Sequence, residues 1–264
     1  MYDYHTHSSF SFDSDTPIDD IIRRALGLGL TGVAITDHYE PEHTDTACDP
    51  DLDFAGYHAA LDEAAKRYAG DIQVAKGIEM GLQPGSPNAH CAAAASAYPY
   101  DFIIASIHCA DGIAIDLPAY HAGKDYRQAV EVYYADMLRC ITEHSDYDVI
   151  GHFNVIERYI DAIPKAGEFA DQIDVILRKL AEDGKGIEIN TSGLRYGMKD
   201  PTMPTPAILK RYAELGGEIV TTGSDAHRAQ DVGCMLDFAE QMIRDAGLGY
   251  LATFKNRRPV MIKL

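Results

Sequence analysis

The chain has 264 residues, 46% of them hydrophobic and 24% charged, and its 23 Lys+Arg against 41 Asp+Glu give a formal charge of −18. That length and mix suit a globular protein that buries a core without a disulfide framework. So acidic a surface repels a phosphate backbone and an anionic bilayer, which argues against generic nucleic-acid or membrane binding.

Short apolar runs alternate with longer periodic segments. Residues 2–4 read as a first, short strand. Thr16 and Pro17 are placed to cap and start a helix through Leu28. Residues 32–36 form a buried strand between a glycine and Asp37. A helix over 57–68, a strand over 72–78, an alanine-rich helix over 84–98 and a strand over 102–107 follow. The longest helix spans 124–144, with Val130, Tyr133, Tyr134, Met137 and Ile141 near one face. Strands at 149–151, 186–189 and 218–222 then alternate with helices at 169–180, 205–215 and 232–246. Residues 250–254 and 260–262 add short end pieces. This alternation predicts an α/β fold with a parallel sheet. Seven or eight such units in about 260 residues favour a closed barrel over an open sheet. A doubly wound sheet would favour a glycine-rich phosphate loop after the first strand, and none is present. With no repeat or linker, one domain over residues 1–264 is expected.

No apolar run reaches about 18 residues. The opening residues, Met1-Tyr2-Asp3-Tyr4-His5, have neither the basic nor the apolar region of a secretory signal. Cys48, Cys91, Cys109, Cys140 and Cys234 are scattered and contain no C-x-x-C pair. They are expected to be small buried residues in a reducing cytoplasm.

Six of the 11 histidines fall at or just beyond the C-terminal end of a predicted strand: His5, His7, His38, His108, His152 and His227. Glu79 ends the third predicted strand. In a barrel of parallel strands those ends share one mouth. Composition alone gives about half an H-x-H pair by chance, so the signal is the recurrence at strand after strand. Imidazole and carboxylate without thiolate suit Zn, Fe or Mn. With Asp225 and Asp13 the set is large enough for three ions that keep open positions for water and substrate. His43, His58, His90, His121 and His144 are expected in loops or on solvated helix faces.

The motifs carrying these residues are His5-Thr6-His7, Thr36-Asp37-His38, Gly77-Ile78-Glu79, Ser106-Ile107-His108, Gly151-His152 and Ser224-Asp225-Ala226-His227. In order and spacing they resemble those of the PHP family, the polymerase-and-histidinol-phosphatase domain, from Tyr2 to about His227. Residues 32–38, 77–83 and 190–196 are similar to the corresponding segments of the family's monofunctional histidinol-phosphatase members. The resemblance implies a distorted seven-stranded (β/α) barrel, TIM-like, with three divalent ions (Zn, Fe or Mn). It implies that His5, His7, Glu79 and Asp225 hold a first ion. Asp13, His38 and His227 would hold a second, and Glu79, His108 and His152 a third, with Glu79 bridging. Asp15 lies close to Asp13 in sequence. Asn154 stands where the family pattern has Asp, and is read as orienting a ligand.

The activity implied is hydrolysis of a phosphate monoester: L-histidinol phosphate to L-histidinol and phosphate, in histidine biosynthesis. The alternative is a PHP hydrolase for another small phosphomonoester or a nucleotide. Three such ions outweigh their carboxylate ligands and suit a dianionic phosphate. Arg158 and Arg195 would grip the phosphate, because the guanidinium fork matches two of its oxygens. Asp225 or His227 would assist the departing alkoxide. Glu40, Asp45 and Asp111 carry the right charge to meet the substrate's ammonium and imidazole. The oligomeric state is left open.

Overall fold

A computed structural model describes residues 1–45, 47–48, 52–162, 164–165 and 167–264. In chain order the elements are β1 (Tyr2–Asp3), α1 (Ile18–Gly27), β2 (Gly32–Ile35), β3 (His38–Tyr39), α2 (Phe54–Arg67), β4 (Gln73–Gly81) and α3 (Ser86–Ala97). There follow β5 (Phe102–Ser106), β6 (Cys109–Ala110), β7 (Ile113–Ala114), α4 (Pro118–His121), α5 (Tyr126–Glu143), β8 (Val149–Ile150) and α6 (Ala170–Glu182). The chain ends with β9 (Gly186–Asn190), α7 (Pro206–Glu214), β10 (Val220–Gly223), α8 (Leu236–Asp245), β11 (Tyr250–Lys255) and β12 (Arg258–Lys263).

Parallel strands run in the order β1-β2-β4-β5-β8-β9-β10. The ring closes between its ends: Tyr4 N–H donates to the Thr222 carbonyl and Asp225 N–H to the His5 carbonyl, both at 2.8 Å. Each crossover carries a helix, so the sheet is covered outside and filled inside. That is why β2, β5, β9 and β10 are buried along their whole length. The helices bury one stripe each. In α5 it is Ala129, Val130, Tyr133, Tyr134, Met137, Cys140 and Ile141, behind a capping box of Asp125 and Gln128. The fold is the expected α/β barrel.

The two end pieces pair as an antiparallel hairpin, β11 with β12. It seals the N-terminal end of the barrel. Ala252 and Phe254 join Tyr4, Ala34, Ala75, Phe102, Ile104 and Val149 in one interior cluster, with the Phe254 and Phe102 rings 4.9 Å apart. Arg257 Nε meets Asp148 at 2.6 Å, just before β8. Phe254→Ala should therefore cost about 3–5 kcal/mol of stability. Denaturant unfolding measures this. Turnover per folded molecule should stay normal, because the histidines gather at the opposite end.

Several details differ from the sequence reading. β3 is an extra strand that pairs only with the far half of β4, His38 opposite Glu79, which carries β4 past Glu79 to Gly81. The β6–β7 hairpin and the short α4 follow His108. Thr16 does not cap α1. Its hydroxyl donates to the His227 carbonyl at 2.9 Å, and Pro17 takes the N-cap position. His58 and His144 are buried rather than solvated. His58 stacks on Tyr98 with centroids 4.4 Å apart. Cys91, Cys109 and Cys140 are buried as expected, whereas Cys234 is exposed. Among the described residues no helix is long and apolar enough to cross a membrane.

Candidate metal centre

The C-terminal ends of the barrel strands bring together all six strand-end histidines, with Glu79, Asp225 and Asp13. Alternation after β1 turns His5 and His7 the same way. His7 N–H donates to the Ala226 carbonyl at 2.9 Å, tying this segment to the one after β10. There Asp225 adopts φ +55, a left-handed conformation that costs a non-glycine residue energy and aims its carboxylate at the histidines. Asp13, rather than Asp15, reaches the cluster. Its Oδ2 lies 3.0 Å from His227 Nε2 and 3.7 Å from His38 Nε2, while Asp15 lines a neighbouring cavity.

Four rings are held in one pattern. The Nδ1 atoms of His5, His7, His108 and His227 meet Glu188 (2.7 Å), the Ser11 hydroxyl (3.1 Å), Glu40 (2.6 Å) and the Asp225 carbonyl (3.1 Å). Ser11 passes its own proton to Asp37 at 2.8 Å, so it accepts from His7. In each ring Nε2 is thereby left for the cavity. His5 Nε2 and His7 Nε2 lie 3.2 and 3.5 Å from Glu79 Oε2, and 3.9 and 3.5 Å from Asp225 Oδ1. A tetrahedral ion at about 2.0–2.1 Å from each ligand would set its ligand atoms roughly 3.3 Å apart. His5 Nε2, His7 Nε2 and Glu79 Oε2 are buried without a hydrogen-bond partner among the described residues. Buried polar atoms are rarely left so. The donor set and its orphaned atoms fit a divalent metal.

On the other oxygen of Glu79, Oε1 lies 2.9 Å from His152 Nε2 and 3.6 Å from His108 Nε2. Three sets of ligand atoms converge: His5, His7 and Asp225; His7, His38 and His227; His38, Glu79 and His108. They share His7 and His38, so the cluster is more interlocked than three separate ligand sets.

Glu40 is placed differently from the sequence reading. It borders the cavity, but it is 2% exposed, and its Oε1 is engaged by His108 and by His38 Nδ1 at 3.2 Å. The cause is local: in β3 and its extension, His38 and Glu40 are two residues apart and face the same side. A Cβ at Gly81 would collide with the Glu40 carboxylate, so glycine keeps its room. Asp111 points elsewhere, to Lys124 at 3.3 Å. Asp45 and Asp116 do line the cavity. Asn154 is fully buried beside Glu157, and among the described residues its amide makes no hydrogen bond to a cluster histidine.

The cavity over the cluster measures about 270 Å³. Arg158 lines it, and its guanidinium stacks 3.8 Å from the Tyr196 ring. Arg195 lines the adjoining cavity, with Tyr196 between, and donates to the Ser224 and Asp225 carbonyls. Arg158 Nε and Arg195 Nη1 are buried and unpaired among the described residues, donors left for an anion. Sequence reasoning missed Tyr196, Ser11 and Glu188. Glu188 carried a faint signal, as the one charge inside the apolar run 186–189.

Burial by itself disfavours the imidazolium form of His5, His38, His108 and His227. The surrounding carboxylates of Glu188, Glu79, Asp225, Glu40 and Asp13 outweigh it and raise all four, His38 to about 10. His7, buried beside His227 and His38, is pushed down to about 3. The metal-free protein therefore holds protons that a metal must displace. Adding zinc to metal-free protein at pH 7 in weak buffer should acidify the solution. The sign for stability follows. A raised folded pKa stabilises fully below about 6.5 and the effect is lost as pH rises, through about 10 for His38. Metal retention runs the other way and weakens as pH falls. Zinc uptake without proton release would contradict this electrostatic picture.

The sequence profile of the PHP domain matches residues 3–192. The chain belongs to the PHP family. Among its relatives in that family, a histidinol-phosphatase from Lactococcus lactis is 29% identical over 97% of this chain and 95% of its own length. A Thermotoga maritima protein named as a probable histidinol-phosphatase is 29% identical over the full length of both chains. The crystal structure of the Lactococcus lactis histidinol phosphate phosphatase, complexed with zinc, L-histidinol and phosphate, superposes with a TM-score of 0.90. It is 26% identical and covers 98% of each chain.

Proposed function

We propose that this chain hydrolyses L-histidinol phosphate to L-histidinol and phosphate, as a step of histidine biosynthesis. The likeness to the Lactococcus lactis enzyme over 98% of both chains carries this reading, since that protein's structure contains zinc, L-histidinol and phosphate. The convergence of His, Glu and Asp ligand atoms at one mouth supports a metal-dependent reaction.

The reading assigns three ions, of Zn, Fe or Mn, to His5, His7, Glu79 and Asp225; to Asp13, His38 and His227; and to Glu79, His108 and His152. Bound there, they supply a hydroxide nucleophile near neutral pH and offset the charge of the phosphate. Arg158 holds a phosphate oxygen through its unpaired Nε, with its Nη2 donating to the Ser192 hydroxyl at 3.2 Å and Tyr196 fixing the plane of the guanidinium. Arg195 braces the loop that carries Asp225 and offers its remaining donor. Asp225 or His227 would assist the departing alkoxide, whose proton comes in the end from water. Asp45 and Asp116 line the same cavity and suit the substrate's ammonium and imidazole better than the engaged Glu40. The whole chain, residues 1–264, acts as one domain. The hairpin near its end seals the barrel that its first residues begin. Five cysteines free of disulfides support a cytoplasmic setting.

The charge of −18 favours a small monoester over nucleic acid. A panel at fixed metal tests the choice: histidinol phosphate, nucleoside monophosphates and short oligonucleotides. The kcat/KM for histidinol phosphate should be the highest. Equal or better turnover of a nucleotide would shift the reading to the alternative PHP hydrolase.

A further inference from the structure

Glu188 sits mid-strand in β9, whose Ile187 and Ile189 belong to the main core between sheet and helices. Alternation turns Glu188 into the barrel interior, where it is 1% exposed. A carboxylate is costly there unless donors and positive charge answer it. One oxygen meets His5 Nδ1 at 2.7 Å. The other accepts the His152 backbone N–H at 2.8 Å and Asn190 Nδ2 at 3.3 Å. A Cβ at Gly223 would collide with the first oxygen, so the neighbouring strand keeps its space open with glycine. Across the His5 ring, Nε2 is buried and unpaired among the described residues.

We propose that Glu188 is a positioning residue for the metal centre. It accepts the Nδ1 proton of His5 and so holds that ring with Nε2 toward the ion, while its second oxygen fixes the backbone of His152. A ligating imidazole gains basicity and a fixed tautomer from such a partner. The rival role is purely structural, tying β9 to the segments that follow β1 and β8. The proposal rests on the assignment of His5 as a ligand, and the two fail differently.

Zinc competition against a chromophoric chelator separates them, using metal-free wild type, Glu188→Gln, His5→Ala and the double variant, each also melted without metal. Glutamine keeps the size of Glu188, but its NH2 must face either the His5 or the His152 donor. Zinc affinity should fall about 10–100-fold in Glu188→Gln while the metal-free Tm stays near wild type. The double variant should bind no worse than His5→Ala, because the two changes act through one ring. If His5→Ala weakens zinc binding and Glu188→Gln does not, the positioning role is overturned. Equal losses in both backgrounds, or a metal-free variant that no longer folds, would make Glu188 structural and overturn it too. If His5→Ala binds zinc normally, the ligand assignment falls, and the proposal with it. One measurement needs no variant. In zinc-loaded wild type, ¹⁵N spectra should show His5 protonated at Nδ1 with a downfield, slowly exchanging proton. Ligation through Nδ1 would overturn the proposal.

Discussion

Glu79→Gln should lower kcat on histidinol phosphate by more than about 100-fold, beyond the loss typical of a residue that only orients a ligand. The two oxygens of Glu79 face different partners. Oε2 stands 3.0–3.5 Å from His5, His7 and His38, and Oε1 faces His152 and His108 and accepts the Ser106 hydroxyl. Glutamine replaces one of those oxygens with an NH2 that cannot bind a cation. If Glu79 bridges two ions as proposed, then whichever way the amide turns, one side of the bridge would lose its ligand and less negative charge would lie between the ions. The kcat per folded molecule, with zinc per chain measured beside it, checks this. A near-normal kcat would place this carboxylate outside the chemistry.

Arg158→Lys should reduce kcat/KM by about 10–1000-fold while metal content stays intact. That is the range for removing a charge-assisted contact to the reacting group. A lysine is a point charge. It cannot make two parallel bonds to phosphate, and it loses the flat stacking on Tyr196. Were Arg158 only a surface cation, the change would be worth about 0–1 kcal/mol and kinetics would barely move. Arg195→Lys should behave differently. Its guanidinium grips the carbonyls of Ser224 and Asp225, so the substitution should loosen the Asp225 loop and lower zinc content along with kcat/KM. Steady-state kinetics on both variants, each with metal analysis, distinguish the two roles.

Six of the seven barrel strands were legible because each lies in a short, largely buried apolar run set off from an amphipathic helix, whereas β1, two residues long and only half buried, is hardly legible alone. The convergence of ligands was legible from the recurrence of histidine at strand ends. The division of those ligands among ions came from family resemblance, not from spacing. What stayed hidden has physical reasons. β3 and the β6–β7 pair are two-residue strands, too short for any periodicity, and β3 exists because β4 runs on beside it. Glu188 looks like an interruption of an apolar run until the barrel closes and gives it an inside. Glu40 reads as a loop acid until the pairing of β3 turns it toward His108. His58 and His144 read as surface residues, because burial of a neutral ring among tyrosines leaves no pattern in the chain.

Stepwise addition of zinc to metal-free protein, with hydrolysis of L-histidinol phosphate followed at each step, tests the three-ion centre most directly. Activity should climb and level off near about three equivalents of metal per chain, in step with the number bound. Full activity at one equivalent, or turnover by the metal-free protein, would contradict it.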